Sequence, residues 1–251
     1  MKFNEYITEQ KNTHMTHIED KVVYGGVKGT RDAIMALRSL RDMLGGVHDG
    51  NVSVKWDGAP AVFAGIDPSD GRFFVAKKGI FNKSPKVYKS NADIDADTTG
   101  DLSTKLKLAL QYLPELGIKG VIQGDLLYTQ ADLKKTKIKG KDYITFHPNT
   151  IVYAVPSGTD MARQITSAKI GIVWHTTYKG KTFEEMKASF SVDMKQLNGA
   201  KGMWAQDATL RDLSGTVTLT KKDTEEVTKA LSVAGTIFRK IASSTLRQIE
   251  Q

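Results

Sequence analysis

Apolar residues recur every three or four positions in several segments of the chain, a spacing that predicts amphipathic helices. The predicted helices span residues 30–44, 102–113, 183–190 and about 224–249. Gly45 and Gly46 mark the end of the first helix, because glycine is common just after a helix C-terminus. Thr220 followed by Asp223 gives a capping signal at the start of the last helix.

Other segments alternate between apolar and polar residues, or are short apolar runs, and these patterns predict β-strands. The predicted strands span residues 52–56, 61–64, 72–76, 120–128, 143–146, 151–155, 170–176 and 216–219. Turn residues separate neighbouring strands, so we expect hairpins and antiparallel sheets. The acidic stretch 91–100 is predicted to be a loop leading into a helix. Together these patterns predict an α+β fold with flanking helices.

The composition is that of an ordinary globular protein, with 40% hydrophobic and 25% charged residues among 251. The longest apolar runs, such as residues 170–174, are too short to cross a bilayer, so we expect no membrane association. No apolar segment follows Met1-Lys2, so a secretory signal is not expected either. The chain has no cysteine, which excludes disulfides, thiolate catalysis and cysteine zinc sites.

The formal net charge is +8, from 36 Lys+Arg against 28 Asp+Glu. Such an excess favours an acidic partner, such as nucleic acid or nucleotide phosphates, but it is also typical of a protein kept soluble by lysine. The densest basic run, on a predicted hairpin loop, consists of Lys134, Lys135, Lys137, Lys139 and Lys141. This run is either a solvated loop or a contact for the phosphate backbone of a nucleic acid.

The tetrapeptide Lys55-Trp56-Asp57-Gly58 ends a predicted strand and is the best candidate for chemistry. A neutral lysine amine can attack phosphorus, and partial burial or neighbouring cations favour its neutral form. A glycine beside it lets a phosphate or a base approach the backbone. The later strand at 72–76 ends in Lys77-Lys78-Gly79, and Asp125 follows Gly124 on an apolar strand. A carboxylate there is suited to contact Mg²⁺ or a ribose.

These residues resemble the motifs of the covalent nucleotidyltransferases, which include ATP-dependent DNA ligases, RNA ligases and mRNA capping enzymes. The resemblance implies an antiparallel adenylation core of the nucleotidyltransferase or ATP-grasp-like ligase type. It also implies that Lys55 forms a lysyl–AMP intermediate from ATP with Mg²⁺, that Asp125 contacts the metal, and that Trp174 stacks on the base. The implied nucleotide contacts are Trp56, Asp57, Gly58, Lys77, Lys78, Gly79, Asp125 and Trp174.

The sequence departs from this family in its C-terminal part. The family's Glu-Gly and Lys-x-Lys motifs have only partial counterparts, at 214–217, at Lys221-Lys222 and, too early, at 179–181. Because the remaining residues leave no room for an OB-fold domain, an RNA-ligase-like transferase is favoured over a DNA ligase. Two alternatives stay open. The chain is either a non-catalytic nucleic-acid-binding or virion-internal protein on the same fold, or Lys55 and Asp57 are an ordinary charged pair beside a turn.

Over nearly its whole length the sequence also resembles a family of proteins from large tailed bacteriophages. The segments that carry this resemblance are 54–61, 73–79, 117–125 and 172–178. Residues 1–9 are similar to capsid-targeting peptides of internal head proteins, although Phe3, Tyr6 and Ile7 would also suit an amphipathic turn. The resemblance implies an N-terminal segment at 1–24 and a single nucleotidyltransferase-like domain at 25–251, which is shorter than some relatives. It implies a location in the host cytoplasm or the virion interior.

Overall fold

The structure, a computed structural model, describes residues 18–46, 53–199, 201–209 and 219–249. The chain divides into two compact units, one formed by Met1–Val52 with Arg211–Gln251 and the other by Ser53–Leu210. The described part of the first unit is helical, and the second unit contains two β-sheets and further helices. The predicted targeting peptide at 1–9 and most of the predicted strand at 216–219 lie outside the described residues.

Helices and strands occur throughout the described chain, and the antiparallel-dominated sheet with flanking helices confirms the α+β class. The helices are α1 (Ile18–Tyr24), α2 (Gly26–Leu44), α3 (Asn91–Asp97), α4 (Gly100–Tyr112), α5 (Asp160–Ser167), α6 (Lys221–Lys240) and α7 (Ser243–Ile249). The strands are β1 (Ala61–Ile66), β2 (Phe73–Ala76), β3 (Val121–Thr129), β4 (Lys134–Ile138), β5 (Lys141–Phe146), β6 (Tyr153–Pro156), β7 (Ile170–Lys179), β8 (Lys187–Phe190) and β9 (Met203–Asp207). Among the described helices, none combines the length and apolar composition needed to span a bilayer.

The larger sheet has six strands in the order β2-β1-β3-β7-β8, with β9 also paired to β7. Its strand pairs are antiparallel except β7 with β9, which is parallel. β7 is long enough to pair with β9 along Ile170–Trp174 and with β8 along Thr176–Lys179. A second sheet has the order β4-β5-β6 and is antiparallel throughout. The long central pair β3–β7 therefore organises the unit.

The two faces of the larger sheet have different neighbours because successive strand side chains point to opposite faces. One face packs against α4 through a cluster that includes Val62, Leu106, Leu113, Leu126, Ile172 and Trp174. On the other face, the second sheet and α5 pack near Leu127 and Val173, in a cluster that includes Ile144, Phe146 and Ile165. Each fully buried large apolar side chain contributes about 1.5–3 kcal/mol to folding.

Several helix boundaries follow the capping signals of the sequence. α2 ends at Leu44 with Gly45 as its C-cap, as predicted. The predicted cap of α6 is confirmed as a capping box, in which the Thr220 side chain accepts from the Asp223 backbone and the Asp223 carboxylate accepts from the Thr220 N–H. These signals are local, so they can be detected without knowledge of the tertiary structure.

Three predicted elements are wrong. Residues 54–57 are not strand, and Ser53 makes only an isolated bridge to Thr209. Residues 183–190 do not form a helix, because 187–190 pair with the end of β7 as β8. The acidic stretch 91–100 is not a loop, because Ser90 and Asp93 form a capping box that starts α3.

The described chain also contains elements that the sequence did not predict. α5 buries only Ala162 and Ile165, so its apolar periodicity is too short to stand out. β9 depends on pairing with β7, some thirty residues earlier in the chain. The predicted helix at 224–249 is divided, because α6 ends at Lys240 and α7 begins at Ser243.

The close packing of Gly171 against Tyr128 gives a test of this core. A Cβ at Gly171 would lie 2.1 Å from Cε1 of the fully buried Tyr128 ring. We expect Gly171→Ala to lower the free energy of unfolding by about 1–3 kcal/mol, because the ring is enclosed and cannot yield without repacking. Urea unfolding measures the change. Gly199→Ala is the control, because a Cβ there has no atom within 4 Å, and an equal effect of both substitutions would contradict the packing described.

Candidate functional site

The Asp57 carboxylate connects the segment before β1 to the second sheet. It accepts hydrogen bonds from the Asn149 side chain, from the Thr150 backbone and hydroxyl, and from the Ile151 backbone. These hydrogen bonds, with that of the Thr150 hydroxyl strongest, hold the pKa of Asp57 well below its usual range. No ion pair joins Asp57 to Lys55 within the described part of the chain, so the loop at 149–151, rather than Lys55, holds this carboxylate.

Trp56 and Tyr153 reinforce the same connection. Their rings stack with centroids 5.2 Å apart and an interplanar angle of 29°. The Tyr153 hydroxyl also accepts a hydrogen bond of 2.8 Å from the Asp57 N–H. Trp56 therefore packs on the second sheet, where its ring helps to orient Lys55, which is exposed.

Gly58 lets the same segment lie directly against Asp125. A Cβ at Gly58 would stand 2.5 Å from the Asp125 Cβ and 2.9 Å from the Leu126 carbonyl oxygen. Backbone hydrogen bonds next to it, from the Ala59 N–H to the Leu126 oxygen and from the Leu126 N–H to the Pro60 oxygen, extend the pairing of β1 with β3. Gly58 is therefore required for the close approach of this segment to Asp125. From the sequence, the glycine was instead expected to let a phosphate or a base approach the backbone.

Asp125 lies on β3 between Ala61 of β1 and Val173 of β7, and its side chain is 19% exposed. Burial raises its pKa to about 6, and this rise is increased by the charge of Asp57 and opposed by the charge of Lys55. The opposing effect of Lys55 means that its cation lies within electrostatic range of this carboxylate. Lys55 and Asp57, two residues of the predicted site, therefore both act electrostatically on Asp125.

His175 is the neighbour of Asp125 that sequence reasoning did not place in the site. Its Nε2 lies 3.9 Å from the nearer Asp125 oxygen, and its Nδ1 is 2.7 Å from the Thr176 hydroxyl. Burial lowers the pKa of His175, which favours the neutral ring near pH 7. A neutral imidazole beside a carboxylate can relay a proton or donate a hydrogen bond to a bound phosphate.

Trp174 does not have the position that stacking on a base requires. It is fully buried against α4, because alternation along β7 turns its side chain to the opposite face from His175. Gly124 makes room for it, since a Cβ there would lie 2.8 Å from Trp174 Cε3. The stacking role implied for Trp174 is therefore corrected, and His175 is the residue of this strand that faces Asp125.

A cavity of about 540 Å³ is bordered by Pro60 and Ala61, which follow the Lys55–Gly58 segment in the chain. It is also bordered by Lys77, Lys78 and Gly79, which were predicted to contact the nucleotide. Asp97 lies in its wall and binds Lys77 at 3.1 Å and Lys86 at 2.7 Å. Because Lys86, the Tyr88 hydroxyl and Lys77 all donate to this carboxylate, the pKa of Asp97 is well below its usual range. Asp97 was missed because its segment reads as an acidic loop, and its partners lie 9 to 20 residues away.

The predicted metal contact consists of one carboxylate. Among the described residues, no three His, Asp or Glu side chains come together in a way that could hold a metal ion. Mg²⁺ is commonly bound by one or two carboxylates together with substrate phosphates, and it keeps several waters. Asp125 therefore fits a Mg²⁺ whose remaining ligands come from a nucleotide and water.

The five predicted nucleic-acid-binding lysines do not lie on a loop. Lys134, Lys135 and Lys137 belong to β4 and Lys141 begins β5, so that only Lys139 lies in the turn, with Gly140. Residues 134–141 are exposed throughout. The predicted hairpin between the strands ending at Tyr128 and starting at Tyr143 is wrong, because β3 and β5 belong to different sheets, and the basic residues instead form the β4–β5 hairpin.

The pKa of Asp125 predicts a pH-dependent stability. A carboxyl whose pKa rises from 3.8 to about 6 on folding contributes stability that is complete below pH 4 and is lost as the pH rises through 6. We expect Asp125→Asn to remove this loss, so that the variant gains on the order of 1–3 kcal/mol relative to the wild type between pH 4 and pH 7.

Urea unfolding of both proteins across this pH range measures the difference. Because Asp57 and Asp97 have lowered pKa values and titrate in the opposite sense, only the difference between the two proteins reports on Asp125. A difference that does not change with pH would show that Asp125 titrates at its ordinary pKa.

Comparisons with known proteins give one match. No curated protein and no solved structure matches the chain. One family model covers residues 12–251, which is nearly the whole chain and includes every residue of the site described above. The chain therefore belongs to DUF6267, a family of unknown function.

Proposed function

We propose that this chain is a nucleotidyltransferase resembling polynucleotide ligases of the RNA-ligase type, which forms a lysyl–AMP intermediate and acts on nucleic-acid ends. The observation that carries the proposal is that the partly buried Asp125, which Gly58 contacts directly, lies within electrostatic range of Lys55. Asp57 and Gly58, which flank the nucleophile, are held by the loop at 149–151 and by β3. Ala61, which pairs with Asp125, also lines a cavity together with Lys77, Lys78 and Lys86.

The proposed reaction has two transfers. In the first, the neutral Nζ of Lys55 attacks the α-phosphorus of ATP and forms a P–N bond, while the bond to the bridging oxygen breaks and pyrophosphate leaves with its electron pair. The proton released by the amine passes to water. In the second, an oxygen of a nucleic-acid 5′-phosphate attacks the same phosphorus, the P–N bond breaks, and the Lys55 amine regains a proton.

The remaining residues have supporting roles in this proposal. Lys77, Lys78 and the Gly79 backbone are suited to the β- and γ-phosphates, because they border a cavity that would hold polyanions. Asp125 and His175 are suited to a ribose hydroxyl or to the metal. Mg²⁺ held with Asp125 would neutralise the charge that develops on the leaving pyrophosphate.

The second candidate is a nucleic-acid-binding or virion-internal protein without catalysis. It is favoured by the burial of Trp174, which removes the base platform that the resemblance implies. This candidate keeps the basic surfaces and needs no reactive lysine. It predicts salt-dependent binding to nucleic acid without any covalent adduct.

Incubation with α-labelled ATP and Mg²⁺ separates the two candidates. We expect the wild type to acquire acid-labile covalent label and Lys55→Ala to acquire none, because the lysine amine is the only group that would form the phosphoramidate. Lys83→Ala, which removes another exposed lysine, is the matched control and should label like the wild type.

Two outcomes would overturn the catalytic proposal. One is a wild type that takes up no label at any pH between neutrality and pH 9. The other is label that persists in Lys55→Ala. Salt-dependent binding of an oligonucleotide in the absence of label would instead establish the second candidate.

A further inference from the structure

The β4–β5 hairpin divides its lysines between two faces. Lys135 pairs with Ile144 and Lys137 with Asp142, so these four side chains share one face. Lys134 pairs with Thr145, and Lys141 with Ile138, which places Lys134 and Lys141 on the opposite face. The hydrogen bond of 2.7 Å between the Thr136 and Thr145 hydroxyls belongs to that opposite face. A run of five lysines that looks uniform in sequence is therefore two separate pairs of cations, with Lys139 in the turn between the strands.

The face of Lys135 and Lys137 borders a groove. This groove has a volume of about 630 Å³ and lies between the hairpin and α5. Its charged and hydroxyl-bearing walls include Lys135, Lys137, Asp142, Ser157, Arg163 and Thr166. Ile144 and Ala162, which are buried, close its base. The groove thus combines a packed apolar base with polar, mainly cationic walls.

The cations of the groove are available to a ligand. Within the described part of the chain, Lys135 has no carboxylate at salt-bridge distance. Lys137 is 68% exposed and lies 3.9 Å from Asp142, an arrangement that contributes little to stability. Arg163 is 67% exposed and is held by Asp160 and by the Gly158 carbonyl oxygen. With Asp142 beside Lys137 and Asp160 beside Arg163, the three cations leave the groove one positive charge in excess, on Lys135.

The groove and the loop that binds Asp57 belong to the same second sheet. Phe146 of β5 pairs with Tyr153 of β6, at the end of the second sheet where residues 149–151 hold Asp57. Ile144, at the base of the groove, lies two residues from Phe146, or about 7 Å along the strand. Lys135 and Lys137 are also about 7 Å apart along β4, a separation suited to successive phosphates of an extended strand.

We propose that this groove binds the phosphate backbone of a single nucleic-acid strand whose end reaches Lys55. The proposal rests on the proposed function for the role of that strand, but the binding itself requires no catalysis. In this arrangement Lys135 and Lys137 contact neighbouring phosphates of the nucleic acid. Arg163, which lies on α5, contacts the same nucleic-acid strand from across the groove. Lys134 and Lys141, on the other face of the hairpin, do not take part.

Two double variants with the same change of charge test the assignment. Lys135→Gln/Lys137→Gln removes two charges from the groove, and Lys134→Gln/Lys141→Gln removes two from the opposite face of the same hairpin. Binding of labelled single-stranded RNA and DNA is measured by fluorescence anisotropy without ATP, from about 50 to 200 mM salt. Urea unfolding of each variant checks that these exposed substitutions leave the fold intact.

We expect the groove variant to bind roughly tenfold more weakly, and the slope of log affinity against log salt to fall by about 1.4, or 0.7 for each lost phosphate contact. The opposite-face variant should keep nearly the wild-type slope. Arg163→Gln should weaken binding further when added to the groove variant. Preference for either sugar is consistent with the proposal, because the contacts are to phosphates.

Equal losses in the two double variants would overturn the proposal, because net charge rather than the groove would then govern binding. An absence of wild-type binding, or preferential binding to anionic vesicles or a phosphopeptide over the oligonucleotide, would overturn it as well. These results are distinct from those of the ATP experiment. Groove-dependent binding without label would contradict only the catalytic function, and label without groove-dependent binding would contradict only the groove.

Discussion

The Asp57 carboxylate accepts hydrogen bonds from three consecutive residues of the loop before β6, and the arrangement of the candidate site depends on this connection. Residues 54–57 belong to no strand, and within the described part of the chain their one backbone–backbone hydrogen bond runs from the Val54 N–H to the Ala208 carbonyl oxygen. Trp56 stacks on Tyr153 and Gly58 fits against Asp125, which holds the segment from both sides. The position of Lys55 is therefore set by its neighbours in sequence rather than by contacts of its own.

The second sheet links this connection to the basic groove. The loop that binds Asp57 joins β5 to β6 at one end of this sheet. Toward the other end lie Lys135 and Lys137 of β4 and Asp142 of β5. The ring of Phe146 in the second sheet packs against Tyr128 in the larger sheet, and Tyr128 also contacts Trp204. These aromatic contacts hold the second sheet on the larger one. A strand held in the groove would thus have a fixed geometry relative to Lys55, which is the condition for directing an end toward a nucleophile.

The sequence predicts those parts of the structure whose signals are local. The caps of α2 and α6 and the apolar run of β3 follow from neighbouring residues. Lys55, Asp57 and Asp125 could be grouped because their spacing resembles known motifs. The roles of Trp174 and His175 could not be separated, because the face of β7 that packs on α4 is decided by tertiary structure. Asp97 was missed for the same reason, since folding brings Lys77, Lys86 and Tyr88 near it, and Arg163 was missed because the helix that carries it was not predicted.

The central claim is that Lys55 and Asp125 form one electrostatically coupled site, and the pKa of Asp125 in the Lys55→Met variant tests it most directly. NMR titration of the carboxyl carbon measures this pKa in both proteins. The account predicts a value of about 6 in the wild type and a higher value in Lys55→Met, because the cation that opposes the rise is removed. An unchanged pKa would place Lys55 too far from Asp125 to act with it, and would contradict the site described above.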